Sequence, residues 1–244
     1  MIKFTIITLF REALEPYLNT SMMWKAQDKG LAEFSFVNLR EYGLGPHRSV
    51  DDTPYGGGDG MLLRCEPVFN AIEDVKREDP TTEVILPTPV GETWNQSLAR
   101  KFAGVEAPST VDTSAISEAS SLAPVASFAP ERTRHYIILC PHYEGYDERI
   151  LSLVDHTISL GHYVLTGGEL PALIIIDSVV RLIPGVLGGA ESAIVESFSD
   201  GDTLEYPQYT KPYDFRGMTV PDILLSGNHG EIARWRAEHS KKAR

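Results

Sequence analysis

A glycine-rich segment in the first quarter of the chain could bring backbone against a ligand or a second chain. It reads Asp51-Asp-Thr-Pro-Tyr-Gly-Gly-Gly-Asp-Gly-Met61 and holds four glycines within five positions. Glycine has no Cβ, so such backbone permits a very close approach. The segment lacks the Lys-Ser/Thr pair of a phosphate-binding P-loop and the glycine spacing of a dinucleotide fingerprint. On these residues alone, a contact loop and a mobile surface loop both stay open.

A second segment concentrates acidic side chains with a histidine and an arginine. It reads Cys140-Pro-His-Tyr-Glu-Gly-Tyr-Asp-Glu-Arg149 and follows an apolar run, 135–140, that is typical of a strand. Ligands of open parallel sheets bind at the carboxyl ends of the strands, where this segment would lie. The same acids would also stabilise the N-terminus of a following helix through its dipole. The pattern therefore fits either a binding loop or a helix start.

A third segment puts two charges on an apolar helix. Gly167-Gly168 opens this helix with Pro171 in its first turn. Asp177 and Arg181 are four residues apart and share one helix face. The rest of the helix is apolar enough to be largely buried, and a charge is costly to bury unless it is well partnered. A structural ion pair and a functional Arg181 are both consistent with this pattern.

The elements that must position these segments alternate between strands and helices. Apolar runs predict strands at 3–9, 31–39, 83–86, 135–140 and 157–165, and patterned stretches predict helices at 12–29, 66–77, 95–102, after 168 and at 229–239. This rhythm predicts an α/β fold with a mostly parallel sheet. Between 107 and 130, 17 of 24 residues are Ala, Ser, Thr or Pro. We expect a flexible surface insertion there, with an ordered linker as the alternative, because so little apolar surface cannot offset the ordering entropy.

Composition limits the classes of function. The 22 Lys and Arg against 34 Asp and Glu give a net charge of −12, so nucleic-acid binding would need a local basic patch. The stretch 231–244, with five Arg or Lys against two Glu, is such a patch. Cys65 and Cys140 are too few for a disulfide framework or a thiolate zinc site, and no metal site is predicted. The longest apolar run, 170–176, falls far short of the roughly 20 residues that span a bilayer, so we expect a soluble, cytoplasmic protein.

Six segments, taken in order, resemble one known family. They are 50–61, 143–149, 163–171, 181–188, 206–212 and 225–232. Together they are similar to the bacterial tRNA (guanine-N1)-methyltransferases that modify guanosine 37 beside the anticodon, a family of the knotted SPOUT class. The resemblance covers nearly the whole chain except 104–134.

The resemblance implies a fold and a division into domains. The fold would be an α/β sheet with a deep C-terminal trefoil knot, followed by a small, mainly helical C-terminal domain. The knot rests on the resemblance alone, since knots are rare in proteins. Residues 1–187 would bind the methyl donor and form the homodimer, with the flexible insertion at about 104–134. Residues 188–200 would link this domain to a tRNA-binding domain at 201–244.

The resemblance also implies the binding residues. S-adenosylmethionine would be bound by three loops, which contain Leu86, Pro87, Thr88 and Pro89, then Pro141, Tyr143, Glu144 and Gly145, then Leu160, Gly161, His162, Tyr163, Val164, Leu165, Gly167, Gly168 and Pro171. The tRNA would be contacted by Asp52, Tyr55, Gly58, Asp177, Ser197 and His229. Whether a divalent ion such as Mg²⁺ assists is left open.

Methyl transfer to guanine N1 needs a base for the N1 proton and a cation for the charge that moves onto O6. By resemblance, Arg181 is the cation and Glu196 is the base. Many family members have Asp at the base position, so Asp200 is a rival. Pro141 stands where Gly is usual and lacks an N–H that could touch the donor. His162 replaces a common Asp and Lys211 a common Arg.

Two other functions compete with this one. A SPOUT RNA methyltransferase of different base specificity would share the knot, but the tyrosine and histidine stretches of the C-terminal half match the guanine-N1 family. A non-catalytic tRNA-binding module would not require an acid and base set. The presence of Glu144, Asp177, Arg181 and a carboxylate at 196 argues against that module.

Overall fold

The computed structural model describes residues 1–105, 133–188, 196–198 and 201–243. The strands are β1 (Ile2–Thr8), β2 (Ala32–Asn38), β3 (Asp51–Asp52), β4 (Leu62–Leu63), β5 (Glu83–Thr93), β6 (Arg134–Leu139), β7 (His156–Ser159), β8 (Thr203–Leu204), β9 (Asp214–Phe215), β10 (Met218–Thr219) and β11 (Lys241–Lys242). Five of them form one parallel sheet in the order β2-β1-β6-β5-β7. The expected mostly parallel α/β fold is confirmed. The expected insertion at 107–130 and the rival base Asp200 lie outside the described residues.

The central strands are buried on both faces, as parallel strands covered by helices must be. Along β1 and β6, alternate residues belong to opposite cores, because successive side chains of a strand point to opposite faces. Phe4 and Ile138 belong to one core, whereas Ile7 and Ile137 belong to the other. The near-continuous apolar runs of the sequence follow from this two-sided burial.

Helices cover both faces of the sheet. They are α1 (Arg11–Leu18), α2 (Ser21–Asp28), α3 (Cys65–Glu78), α4 (Gln96–Ala103), α5 (Glu169–Val180) and α6 (His229–His239). On one face α5 packs against α1, α2, α4 and β1. On the other face α3 packs against two short 3₁₀ segments, Leu39–Tyr42 and Glu148–Leu153. The apolar α5 is therefore surrounded by neighbours over most of its circumference.

Two sequence predictions are wrong at their boundaries. The helix predicted at 12–29 is two helices, because Thr20 is extended and its hydroxyl bonds back to the carbonyl of Pro16. The strand predicted at 157–165 ends at Ser159, because Gly161 has φ of +144° and turns the chain out of the sheet. The residues after this turn form a loop instead.

Residues 201–243 contain short strands as well as a helix. The strand pairs β8–β11 and β9–β10 lie there, together with a 3₁₀ turn at Asp222–Leu225 and α6. The segment was expected to be mainly helical, and its helical residues outnumber its strand residues. None of the described residues of this stretch is buried. Across the described part of the chain, no helix has the length and apolar character needed to cross a membrane.

Candidate active site

A cavity of about 180 Å³ opens where β5, β6 and β7 end. This is the edge of a parallel sheet at which ligands bind. Strand β5 pairs with β7 up to Pro87 and again at Glu92, and the residues between leave the ladder to form one wall. The segments 141–146 and 158–168 form the other walls. The first helical turn of α5 closes the cavity with Pro171.

Fifteen of the seventeen residues expected around the methyl donor line this cavity. Leu86 and His162 do not. Leu86 lies in the core on the opposite side of β5, since neighbouring strand residues face opposite ways. His162 is exposed on the outer side of its loop. The lining residues that sequence reasoning missed are His142, Tyr146, Ile158, Ser159 and Thr166. Four of them are adjacent in sequence to a predicted residue and Ile158 lies two residues from Leu160, which is the signal that could have found them.

The turn between β6 and α5 is held by a very close backbone approach. The N–H of Gly168 donates to the carbonyl of Pro141 at 2.8 Å. A Cβ on Gly168 would lie 2.4 Å from Cδ of Pro141 and 2.7 Å from Cα of Cys140. No larger residue fits there without displacing backbone. Pro141 therefore contributes its carbonyl to the architecture of the site, although it has no N–H to offer.

The carboxylate of Glu169 lies next to His142, which lines the cavity. Glu169 accepts a hydrogen bond from the hydroxyl of Thr8 at 2.8 Å, and its other oxygen lies 4.0 Å from Nδ1 of His142. That Nδ1 atom is buried and has no hydrogen-bond partner among the described residues. The His142 ring packs on Phe10 and Tyr143. Burial, together with the nearby Asp51 carboxylate, raises the pKa of Tyr143. A buried polar atom without a partner marks a position where a ligand would supply one.

The expected catalytic pair is formed at the other end of α5. Nη1 of Arg181 donates to Oε1 of Glu196 at 2.7 Å, and Nη2 donates to Oε2 at 2.5 Å. Nε2 of Gln96 also donates to Oε1, at 3.0 Å. The Glu196 side chain is only 12% exposed. The hydrogen bond from Arg181 to Glu196 raises the pKa of Arg181. Such a bidentate pair is among the strongest contacts between side chains.

Asp177 and Arg100 complete the surroundings of this pair. The sequence had suggested an ion pair between Asp177 and Arg181. The main contact of Arg181 in the structure is instead its bidentate pair with Glu196. Asp177 instead lies beside Tyr17, where burial and this carboxylate raise the pKa of the phenol. Arg100 is buried on α4, and the loss of hydration lowers the pKa of its guanidinium although the charge of Glu196 opposes that shift. Two guanidinium groups therefore flank one carboxylate.

The cavity and the catalytic pair are separated along α5. Arg181 follows Pro171 by ten residues, which is about 15 Å of helix. Neither Arg181 nor Glu196 lines the cavity. On the same helix, Leu170 at the cavity end and Ile174 in the middle are exposed over 59% and 45% of their surface. One chain therefore presents the two parts of the site at opposite ends of a partly apolar helix face.

The glycine-rich loop is fixed at its base and exposed at its tip. The N–H of Glu144 donates to the carbonyl of Met61, which joins the loop base to the cavity wall. A Cβ on Gly60 would lie 2.3 Å from Cγ of Glu144, so glycine is needed there. At the tip, Tyr55 is fully exposed and Gly58 is exposed. Asp52 pairs with Arg64 at 3.0 Å. These expected tRNA contacts lie outside the cavity lining.

The remaining expected contacts lie in the C-terminal part of the chain. The hydroxyl of Ser197 accepts from the N–H of Glu205, and His229 is the exposed first residue of α6. Cations and aromatic rings alternate nearby, with Arg236 over Tyr206, Arg216 over Phe215, and Trp235 stacked on His239. Within the described ranges, no group of three or more His, Cys, Asp and Glu side chains is arranged to hold a metal ion.

Comparisons with known proteins place this site in context. The family model described as tRNA (Guanine-1)-methyltransferase TrmD matches residues 2–110 and 108–244. A tRNA (guanine-N(1)-)-methyltransferase of Dictyoglomus turgidum is 46% identical over 242 residues, 99% of this chain and 86% of the relative. One from Halalkalibacterium halodurans is 48% identical, over 98% of this chain and 87% of the relative. The crystal structure of tRNA (m1G37) methyltransferase from Aquifex aeolicus matches with a TM-score of 0.72 and 34% identity, covering 98% of this chain and 88% of that one.

Proposed function

The chain belongs to the tRNA (guanine-1)-methyltransferase family and is a tRNA (guanine-N1)-methyltransferase, and we propose that it methylates guanosine 37 with S-adenosylmethionine as the donor. The observation that carries the site assignment is the partly buried bidentate pair between Arg181 and Glu196. Glu196 is a carboxylate that can accept the N1 proton, and Arg181 is a cation that can donate a hydrogen bond to O6 as that oxygen gains negative charge.

The cavity beside α5 suits the methyl donor. Its walls combine apolar side chains such as Ile158 and Leu160 with glycine backbone, as is usual for small-molecule sites. Nδ1 of His142 is a buried polar atom that lacks a partner in the described chain, and Glu144 adds a carboxylate to the wall. The donor supplies a methyl group on a positively charged sulfur. Loops at 86–89, 141–145 and 160–168 are the proposed binding segments, and the trefoil knot that would join them stays a prediction.

The proposed chemistry uses both members of the pair. Guanine presents N1–H as a donor and O6 as an acceptor on one edge. Glu196 takes the N1 proton while N1 forms a bond to the methyl carbon, and the C–S bond breaks with its electrons returning to sulfur. Arg181 donates to O6, where negative charge collects as the proton leaves. The products are 1-methylguanosine, a neutral thioether and a protonated Glu196.

A homodimer with shared sites explains the separation along α5. Leu170, Ile174, Asp177 and Arg181 are spaced by four, three and four residues and so lie on one helix face. Two such faces packed antiparallel in a two-fold dimer would bury Leu170 and Ile174 of both copies. They would also bring each cavity beside the partner's Arg181. We propose that each active site uses the cavity of one chain and the catalytic pair of the other.

The tRNA is proposed to lie against the C-terminal part of the chain, 201–244, linked through 188–200 to the donor-binding part, 1–187. The cations there would attract phosphates, and the aromatic rings would stack on unpaired bases. The net negative charge of the rest of the chain would repel the tRNA backbone. Asp52, Tyr55, Gly58, Asp177, Ser197 and His229 are the proposed additional contacts. The cytoplasm is the proposed compartment, because the substrate is tRNA.

Nucleoside mass spectrometry tests this function. Pure protein is incubated with S-adenosylmethionine and an unmodified tRNA transcript that carries guanosine 37, and a transcript with adenosine at that position is the control. We expect 1-methylguanosine from the first transcript alone. Products methylated at N2 or at a 2′ oxygen would indicate a SPOUT enzyme of other specificity, and a transcript that is bound but not methylated would indicate a binding module.

A further inference from the structure

Gln96 holds the proposed base from a rigid element. Its Nε2 donates to Oε1 of Glu196 at 3.0 Å, the same oxygen that accepts from Nη1 of Arg181. Oε2 accepts from Nη2 of Arg181 alone among the contacts of the described chain. The two oxygens of Glu196 are therefore not equivalent. Among the residues that the structure describes, Oε1 has two donors and Oε2 has one.

The position of Gln96 is fixed by contacts that do not involve Glu196. Gln96 is the first residue of α4, and the side chain of Asn95 caps that helix by accepting from the N–H of Leu98. Just before it, the N–H of Trp94 donates to the carbonyl of Ser159, and the indole Nε1 donates to the hydroxyl of Ser178 on α5. The start of α4 is thus anchored both to β7 and to α5. Gln96 projects from a platform that need not move when the substrate enters.

The substrate must compete for Arg181. In the structure, both Nη atoms of Arg181 donate to Glu196. Arg181 can therefore donate to O6 only if at least one of these two hydrogen bonds breaks. A carboxylate that loses a bidentate partner is free to rotate. The hydrogen bond from Gln96 to Oε1 does not depend on Arg181 and would persist through this exchange.

We propose that Gln96 is a positioning residue that keeps Oε1 of Glu196 in place and leaves Oε2 to receive the N1 proton. This proposal rests on the proposed function, in which Glu196 is the base. The amide of Gln96 has no direct part in the transfer. It limits the carboxylate to one orientation when Arg181 turns to O6, which matters because misplacement by about 1 Å costs roughly a hundredfold in rate.

The test is a double-mutant cycle read by single-turnover methyl transfer with saturating donor and tRNA. Gln96→Ala should slow the transfer by about tenfold to a hundredfold, the range for a hydrogen bond to a charged group. Gln96→Glu keeps the shape but loses the donor, and it should be at least as slow. Donor and tRNA dissociation constants should change by less than about threefold. In the Glu196→Gln background, Gln96→Ala should cost less than about twofold, since the oxygen it positions no longer takes a proton.

Gln27→Ala is the matched control. It also removes a side-chain amide that donates a hydrogen bond, in this case to the carbonyl of Leu18 at 2.8 Å and not to Glu196, so it should lower the melting temperature while leaving the transfer rate within about twofold. Losses of the same size from Gln96→Ala in both backgrounds would overturn the positioning role. A Glu196→Gln enzyme with a nearly normal rate would instead overturn the base assignment, and the positioning role with it. The two failures are therefore distinguishable.

Discussion

The proposed active site, shared between two chains, predicts that two inactive variants restore activity when they are combined in one dimer. The first variant is Arg181→Ala, which lacks the donor to O6. The second is Gly167→Val, because a Cβ on Gly167 already lies 2.5 Å from Oε2 of Glu169 and 2.8 Å from Nδ1 of His142 and a larger side chain would narrow the cavity. Each variant alone should form a dimer with both sites inactive.

The magnitude follows from geometry. Reacting atoms must approach to about 3–3.5 Å, whereas the cavity end and the Arg181 end of α5 are about 15 Å apart in one chain. If each site combines two chains, the mixed dimer has one site with an intact cavity and an intact Arg181, and one site with neither. Its turnover per dimer should be about half of the wild-type value.

The assay uses two affinity tags. The two variants are coexpressed with different tags and purified over both columns, so that only mixed dimers remain, and methyl incorporation into tRNA is measured. Calorimetry with the donor should show that Gly167→Val has lost donor binding and that Arg181→Ala has kept it. Donor binding to about one site per mixed dimer with no methyl transfer would refute the reasoning, because it would mean that each cavity works with the Arg181 of its own chain.

Three further predictions concern the base, the dimer and the pH dependence of stability. Glu196→Gln should lower kcat by roughly 10²–10⁴ with donor affinity unchanged, whereas Glu196→Asp should keep much of the activity; a dead Asp200→Asn with a nearly normal Glu196→Gln would reassign the base. Ile174→Asp should shift sedimentation toward a 27.0 kDa monomer, and Leu225→Asp, which alters an exposed apolar side chain elsewhere, should not. Burial lowers the pKa of His135 below its ordinary 6.5. Near pH 6.5 the unfolded chain therefore binds a proton at this histidine more readily than the folded chain does. The urea midpoint of unfolding should therefore decrease as the pH is lowered from 7.5 to 5.5. The decrease should be smaller in His135→Gln and unchanged in His47→Gln, an exposed-site control. An equally large decrease in all three proteins would show another cause.

Local sequence was sufficient to predict the sheet and most of its helices. Strands that are buried on both faces consist of nearly continuous apolar residues. The alternation of such runs with helical stretches indicates a parallel sheet. The boundaries that failed depend on single backbone features. Thr20 bonds back to Pro16 and divides one expected helix, and the positive φ of Gly161 ends a strand early. Periodicity does not report either feature.

The candidate site was predictable in parts but not as an arrangement. The cavity residues cluster in three short segments, so a resemblance of motifs reached fifteen of the twenty. Leu86 was expected at the donor, but its side chain lies in the core on the other side of β5, because the first residue of the expected loop still alternates with the strand. Gln96 was missed because nothing in its own neighbourhood of sequence connects it with Glu196, one hundred residues later. Packing of α4 against α5 brings these two residues together, and such a long-range contact leaves no pattern in the local sequence.

The acidic net charge has a consequence for how the substrate must be bound. A chain with a charge of −12 repels a polyanion over most of its surface. Binding must therefore rely on a few local cations such as Arg216, Arg236 and the lysines of β11, and a dimer doubles their number. Few phosphate contacts imply a shallow dependence of affinity on salt, since the slope scales with the number of phosphates neutralised. Discrimination would then depend mainly on the guanine edge, where the proposed roles of Arg181 and Glu196 are to contact O6 and N1–H.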